Sequence, residues 1–335
     1  MSEAAIQVSG LVKRFGDVTA LDGIDFAVEP RTVFGLLGPN GAGKTTAVRI
    51  LTTIITPDAG TATVLGRDVV AGADEVRRVI GLAGQYAAVD DLLSGRENLA
   101  MIGKLTHIPK DQIASRAAEL LERFGLSDAG DRPVRTYSGG MRRRLDLAAA
   151  LVHKPPVLFL DEPTTGLDPL GRSQMWDMIR ELVNDGTTVL LTTQYLEEAD
   201  RLANRLAVID RGHVIAEGTP SELKSKLGDT VVEMGFTDED AATKAQGLLT
   251  SNKAEREGTL VRLSSAEGPK VLVAVLRTLD DQSLVPTTLA VREPSLDDVF
   301  LALTGKHAEP IEDATEPPPD EKPGGRKLAR SGGGR

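Results

Sequence analysis

A glycine-rich run wedged between an apolar stretch and a helix-forming one leaves few folds open to this chain. Residues 38–45 read Gly38-Pro39-Asn40-Gly41-Ala42-Gly43-Lys44-Thr45. Thr32-Val33-Phe34-Gly35-Leu36-Leu37 leads into them, and Thr46-Ala47-Val48-Arg49-Ile50-Leu51 follows. The spacing G-x-x-x-x-G-K-[ST] after a strand and before a helix predicts a phosphate-binding loop, which makes ATP or GTP the first expectation. Glycines let backbone N–H groups close around phosphate oxygens, and the helix start adds its partial positive charge. Lys44 then reaches the terminal phosphates, and Thr45 offers a hydroxyl to Mg²⁺. A chance match in a glycine-rich chain would lack the flanking strand and helix.

A second cluster fits the same chemistry. Val157-Leu158-Phe159-Leu160-Asp161-Glu162 sets two carboxylates at the end of a buried strand, where open α/β sheets place their ligands. Asp161 is expected to hold Mg²⁺ through water, and Glu162 to act as general base or water-positioning group. The alternative is a pair of helix-capping acids before Pro163. Tyr137-Ser138-Gly139-Gly140-Met141 precedes Arg142-Arg143-Arg144 and an Ala/Leu helix. Alone this is a turn and a helix N-cap; as a second anion site in one chain it suggests a phosphate held from two sides.

Apolar runs at 33–37, 157–160, 188–191 and 206–209 alternate with amphipathic stretches, the pattern of an α/β domain. Residues 91–135 contain helical runs instead, with Ile113, Ala117, Leu120, Leu121 and Phe124 on one face of 111–124, and predict an inserted helical subdomain. The expected division is 1–222 for the nucleotide domain (helical part about 88–136), 223–305 for a small α+β domain, and 306–335 for a disordered tail rich in Pro, Gly and charge.

Charge and composition exclude several classes. The chain carries 39 basic against 49 acidic residues, a net charge of -10, which argues against general nucleic-acid binding through phosphate contacts. There are no cysteines and four scattered histidines, so neither disulfides nor thiolate metal sites are expected. No run approaches the ~18 apolar residues of a membrane span, and Met1-Ser2-Glu3-Ala4-Ala5-Ile6-Gln7 has no signal-like core. A cytoplasmic chain that reaches a membrane only through a partner is expected.

The order of these motifs resembles the ATP-binding subunits of ABC transporters over residues 5 to about 220. That resemblance implies a P-loop NTPase fold and a head-to-tail homodimer sandwiching two ATP. Gly38 to Thr46 would then hold the chain's own ATP, Ser138, Gly139 and Gly140 would cap the partner's γ-phosphate, and Asp168 in Gly166-Leu167-Asp168 would lie on the crossing loop. Phe15 would stack on adenine, the alternative being a buried core ring. Gln85 in Gly84-Gln85-Tyr86 would sense Mg²⁺, and Gln194 would stand at the switch position. The chain departs from the superfamily pattern at Met141, where glutamine is usual, and at Gln194, where histidine is usual. A glutamine amide donates a hydrogen bond but cannot become a cation.

Tyr-Ser-Gly-Gly-Met-Arg-Arg-Arg at 137–144, Thr-Thr-Gln-Tyr-Leu-Glu-Glu-Ala-Asp at 192–200 and Glu293-Pro294-Ser295-Leu296-Asp297-Asp298-Val299-Phe300-Leu301-Ala302-Leu303-Thr304-Gly305 resemble the daunorubicin-resistance type of drug-export ATPase. This implies a separate membrane permease, a drug, antibiotic or lipid cargo, and a place on the cytoplasmic face of the membrane. Residues 293–305 are expected to close the chain as a helix packing Leu296, Val299, Phe300 and Leu303 on the small domain, with partner docking as the other reading. A non-transport or weakly hydrolysing regulatory ATP switch is the alternative function. A GTPase is disfavoured, because Asn252-Lys253-Ala254-Glu255 lacks the Asp of a guanine-reading motif.

Overall fold

The computed structural model describes residues 4–84, 89–226, 230–249, 254–265 and 270–305. The chain opens with the hairpin β1 (Ile6–Phe15) and β2 (Val18–Val28), after which β3 (Val33–Leu37) delivers the glycine-rich loop to α1 (Lys44–Leu51). β4 (Ala59–Val64) and β5 (Arg67–Asp68) join the hairpin in an antiparallel sheet of order β2-β1-β4-β5. Beyond α2 (Ala73–Arg77) and β6 (Ile80–Ala83), the chain leaves the sheets for α3 (Gly95–Leu105) and α4 (Lys110–Arg123). It returns through two short 3₁₀ turns and α5 (Gly139–Ala150).

Next come β7 (Val157–Asp161), α6 (Pro169–Asn184), β8 (Thr188–Thr193), α7 (Leu196–Leu202), β9 (Arg205–Asp210) and β10 (His213–Gly218). They complete a six-stranded sheet of order β10-β9-β3-β8-β7-β6, parallel except for β10. Every residue of β3, β7 and β8 is buried, as expected of parallel strands covered on both faces. The two-residue period divides them: Phe34, Leu36, Val157, Phe159 and Leu190 pack toward the antiparallel sheet. Leu158, Leu160, Val189 and Leu191 pack toward α4, α5 and α6. Phe26 and Phe34 stack across the first interface with centroids 5.3 Å apart.

In α4 the expected apolar face is buried at Ile113, Ala117, Leu120 and Leu121. A capping box starts α3, in which Ser94 accepts from the Glu97 amide and the Glu97 carboxylate accepts from the Ser94 amide. That reciprocal pairing satisfies two otherwise orphaned donors.

After α8 (Pro220–Ser225), β11 (Thr230–Gly235), α9 (Glu239–Leu248), β12 (Glu255–Glu257), β13 (Leu260–Ser265), α10 (Lys270–Asp280) and β14 (Thr288–Arg292) build an α+β unit. Its antiparallel sheet has the order β12-β13-β11-β14. Its mixed helix-and-strand make-up is the one the sequence predicts.

The closing helix α11 (Leu296–Thr304) corrects it. Leu296, Val299 and Phe300 do not pack into the small unit's own core; they join Leu37, Ala199, Leu206, Val208 and Leu223 on the nucleotide-binding side. Leu303 is 44% exposed. The opposite side of α11 is tethered to the small sheet, where the Arg292 guanidinium donates to both oxygens of Asp298 at 2.6 and 2.9 Å. Residues 306–335, expected to be disordered, lie outside the described residues, as does Gln85.

Candidate functional site

Three parallel strand ends converge at the start of α1. β3 runs into Gly38, where an added Cβ would sit 2.2 Å from the Ile209 carbonyl oxygen; the backbone of β9 therefore leaves room for glycine alone. Gly41 and Gly43 adopt φ of 80° and 111°, values that few side-chain-bearing residues reach. These turns wrap the loop, with Pro39, Asn40 and Ala42 between them, over the first turn of α1. Among the described residues no side chain caps that helix, and the start of a helix is where backbone amides suit an anion.

Lys44 is buried, at 4% exposure. Its Nζ donates to the carbonyls of Gly38 (2.8 Å) and Pro39 (3.0 Å), folding back over its own loop. The same ammonium lies 3.6 Å from a Glu162 carboxylate oxygen. Thr45 Oγ1 donates to Asp161 Oδ1 at 3.2 Å, and Thr192 Oγ1 donates to that oxygen at 2.5 Å. Thus β7, β8 and α1 bring Lys44, Thr45, Asp161 and Glu162 together, and both carboxylates are buried. The helix-cap reading of Asp161 and Glu162 is not what the chain does with them: Asp161 ends β7, and Asp168 caps the helix that follows.

Glu162 sits at φ 50°, a left-handed conformation costing a non-glycine residue roughly 1–3 kcal/mol. Its neighbours supply the restraint. The Glu162 amide donates to Thr192 Oγ1 at 3.1 Å, and Thr165 Oγ1 donates to the carboxylate at 3.4 Å. Arg143, which sequence reasoning passed over as one of three arginines, reaches the same turn from α5. It donates to the carbonyls of Pro163, Gly84, Asp161 and Glu162. Burial pulls the pKa of this guanidinium down, while the charges of Asp146, Glu198, Asp161 and Glu162 pull it up.

Glu198, in the run after Gln194, is fully buried and accepts from Trp176 Nε1 at 3.1 Å. Burial raises its carboxyl pKa against the pull of Thr193, Thr164, Trp176 and Arg143. Gln194 leaves the end of β8 with its Oε1 buried and without a hydrogen-bond partner among the described residues. Phe15 is 47% exposed, which rules out the buried-core alternative and leaves a ring face open, with Lys13 Nζ 5.5 Å from its centroid.

Ser138 caps α5 by accepting from the Met141 amide at 3.2 Å. Among the described residues a Cβ on Gly139 would meet nothing within 4 Å, and one on Gly140 only Leu167 at 3.9 Å, so packing against them does not demand either glycine. With Asp168, these residues line a cleft of about 380 Å³; no phosphate-loop residue lines it among the described residues. Asp168 itself caps α6, accepting from the Gly171 amide at 2.9 Å.

Residues 21–165 match the ABC transporter family model, and residues 218–304 the model of the DrrA1-3-like ATP-binding protein C-terminal domain. Daunorubicin resistance ATP-binding protein DrrA3 of Streptomyces coeruleorubidus is 52% identical over 307 residues, covering 91% of this chain and 97% of that protein. Nod factor export ATP-binding protein I of Ralstonia nicotianae is 41% identical over 307 residues, covering 91% and 95%. Among solved structures, cbiO1 from Clostridium perfringens, part of the ABC transporter complex cbiONQ, superposes with a TM-score of 0.62 at 28% identity, covering 67% of this chain and 92% of that one. The ADP conformation of MJ1267, an ATP-binding cassette, gives 0.61 at 27%, covering 66% and 93%.

Proposed function

This chain belongs to the ABC transporter family of ATP-binding, ATP-hydrolysing subunits, and on that premise we propose that it powers a two-component exporter. Its cargo is a hydrophobic antibiotic of the daunorubicin kind or a lipid, moved by a separate membrane-spanning permease. No described helix is long and apolar enough to cross a membrane, and the drug-resistance and export names of its relatives support the assignment. In this reading the chain sits at the cytoplasmic membrane face and touches the bilayer only through the permease.

One observation carries the reading: buried Lys44, Asp161 and Glu162 and half-buried Thr45 meet in a single cluster at the head of α1, while Ser138, Gly139 and Gly140 open onto a different cleft. On nucleotide binding, Lys44 exchanges its loop carbonyls for terminal phosphate oxygens. Thr45 and Asp161 supply a hydroxyl and a carboxylate, a donor pair suited to a hard cation that completes its shell with phosphate and water. Among the described residues no cluster of three or more His, Asp or Glu competes for a metal. Mg²⁺ held there, with Gln85 as a further ligand, would supply charge neutralisation for phosphoryl transfer.

Glu162 takes the proton of the attacking water, and the Gln194 amide donates toward the γ-phosphate. Phe15 stacks on adenine. The second cleft, with Ser138, Gly139, Gly140 and Asp168, covers the ATP of a second copy, giving a head-to-tail homodimer.

The decisive assay is steady-state ATPase activity of the chain and of Glu162→Gln, with and without the permease in lipid. Wild-type turnover should rise with permease. Glu162→Gln should keep ATP binding, form an ATP-dependent dimer on gel filtration, and lose roughly 10²–10⁴-fold in rate. Undiminished turnover in that variant would overturn the role of Glu162. A weakly hydrolysing regulatory subunit is the second reading, favoured by Gln194, which cannot take a charge. Firm ATP binding with near-zero wild-type turnover would select it.

A further inference from the structure

The three arginines after the Ser138 signature occupy successive helical positions, and rotation of about 100° per residue sends them in different directions. Arg142 pairs with Asp91, and Arg144 donates to the Phe124 carbonyl at 3.2 Å. Arg143 points between α5 and the end of β7. Its Nε donates to the Pro163 carbonyl at 2.7 Å and its Nη1 to Gly84 at 2.6 Å. Its Nη2 donates to Glu162 at 2.7 Å and Asp161 at 3.1 Å.

We propose that Arg143 is a positioning residue for ATP hydrolysis: its guanidinium grips the peptide units on both sides of Glu162 and sets the direction in which that carboxylate presents itself. This rests on Glu162 acting as the base.

The geometry favours positioning over a plain surface staple. A guanidinium has a rigid fork of five donors, and here every bond it makes in this turn goes to main chain. Three of the four carbonyls are consecutive, 161 to 163, and bracket the residue whose φ is left-handed. Such a turn relaxes toward extended or right-handed backbone when its restraints are removed, and that relaxation would swing the Glu162 side chain away from the phosphate loop. The fourth carbonyl, Gly84, follows directly on the end of β6, so the same side chain ties two neighbouring strand ends to the helix that begins at the signature. A lysine cannot reproduce this grip, because its single ammonium cannot span the fork.

The test is a comparison of full-length wild type, Arg143→Ala, Arg143→Lys and Glu162→Gln in three measurements: kcat, ATP affinity by direct titration, and thermal unfolding. In the proposed site ATP is held mainly by the glycine-rich loop, the start of α1 and Phe15, none of which Arg143 bonds to, and its bond to Asp161 is to the main-chain carbonyl, not to the carboxylate. Both Arg143 variants should therefore bind ATP within about threefold of wild type while kcat falls roughly 10- to 100-fold, the scale of a misplaced catalytic group. Arg143→Lys keeps the aliphatic stem and the charge, and carries the test if Arg143→Ala does not fold. The inference fails if either folded variant keeps kcat within about threefold of wild type, or if kcat and ATP affinity fall together in both. Wild-type-like turnover in Glu162→Gln would sink the base assignment and this inference with it. Loss of turnover there, with normal rates in the Arg143 variants, would sink this inference alone.

Discussion

Replacing Phe300 with alanine should undock the closing helix without dissolving the nucleotide-binding core. A nine-residue helix such as α11 is too short to persist by itself in water, so what holds it is its three buried side chains. Leu296, Val299 and Phe300 are 3%, 4% and 4% exposed. Each contributes roughly 1.5–3 kcal/mol through burial. The Arg292–Asp298 pair on the other side is a third exposed at the arginine and adds about 1 kcal/mol or less. Truncating a buried phenylalanine removes its transfer energy and leaves a cavity, together about 3–5 kcal/mol.

At about 1.4 kcal/mol per factor of ten, that corresponds to a fall of roughly a hundredfold to several thousandfold in the protection of α11 amides against hydrogen exchange. β3, β7 and β8 should keep theirs, and the main unfolding transition should move little. Leu303→Ala is the control: an exposed position on the same helix should cost under about 0.5 kcal/mol. Equal effects of the two substitutions would refute the placement of α11. So would loss of protection in β11, β13 and β14 with α11 unaffected, since that would put Phe300 in the small unit's own core.

Other expectations follow from single features. Glu198 has a folded-state carboxyl pKa raised by burial, so the native chain binds more protons than the unfolded one and stability falls as pH rises from about 4.5 toward the folded pKa. Glu198→Gln is uncharged, so its melting temperature relative to wild type should improve between pH 5 and pH 8; an unchanged gap would contradict a proton-holding Glu198. Gly38→Ala forces a methyl against the Ile209 carbonyl and should weaken ATP binding at least about tenfold by distorting the cradle; affinity within twofold of wild type would show that the loop yields cheaply. In mixed dimers, Ser138→Ala should slow hydrolysis only at the site facing the altered signature. Equal slowing at both sites would contradict the head-to-tail sandwich.

What could be read from the sequence was whatever the chain encodes in adjacent residues. The phosphate loop and Asp161-Glu162 have fixed local spacing, and Val33–Leu37 and Val157–Asp161 announce buried parallel strands by unbroken apolarity. The antiparallel sheet of β1, β2, β4 and β5 had no such signal. In β1 the alternation of Ile6 and Val8 is broken after Ser9 by a register shift at Gly10, where φ is 57°, and Leu11 resumes the buried face out of phase.

Amphipathicity in α11 showed that Leu296, Val299 and Phe300 share a face, but not which surface receives it, because two apolar surfaces of one chain look alike to a helical stripe. Arg143 was hidden for a further reason. Its partners are four carbonyl oxygens, and a carbonyl is common to every residue, so no side-chain motif marks the contact. The left-handed turn at Glu162 is equally silent in a sequence where that position need not be glycine. A motif can name the group that takes the proton, yet what aims that group here is a side chain bound to backbone, and only the folded chain brings the two together.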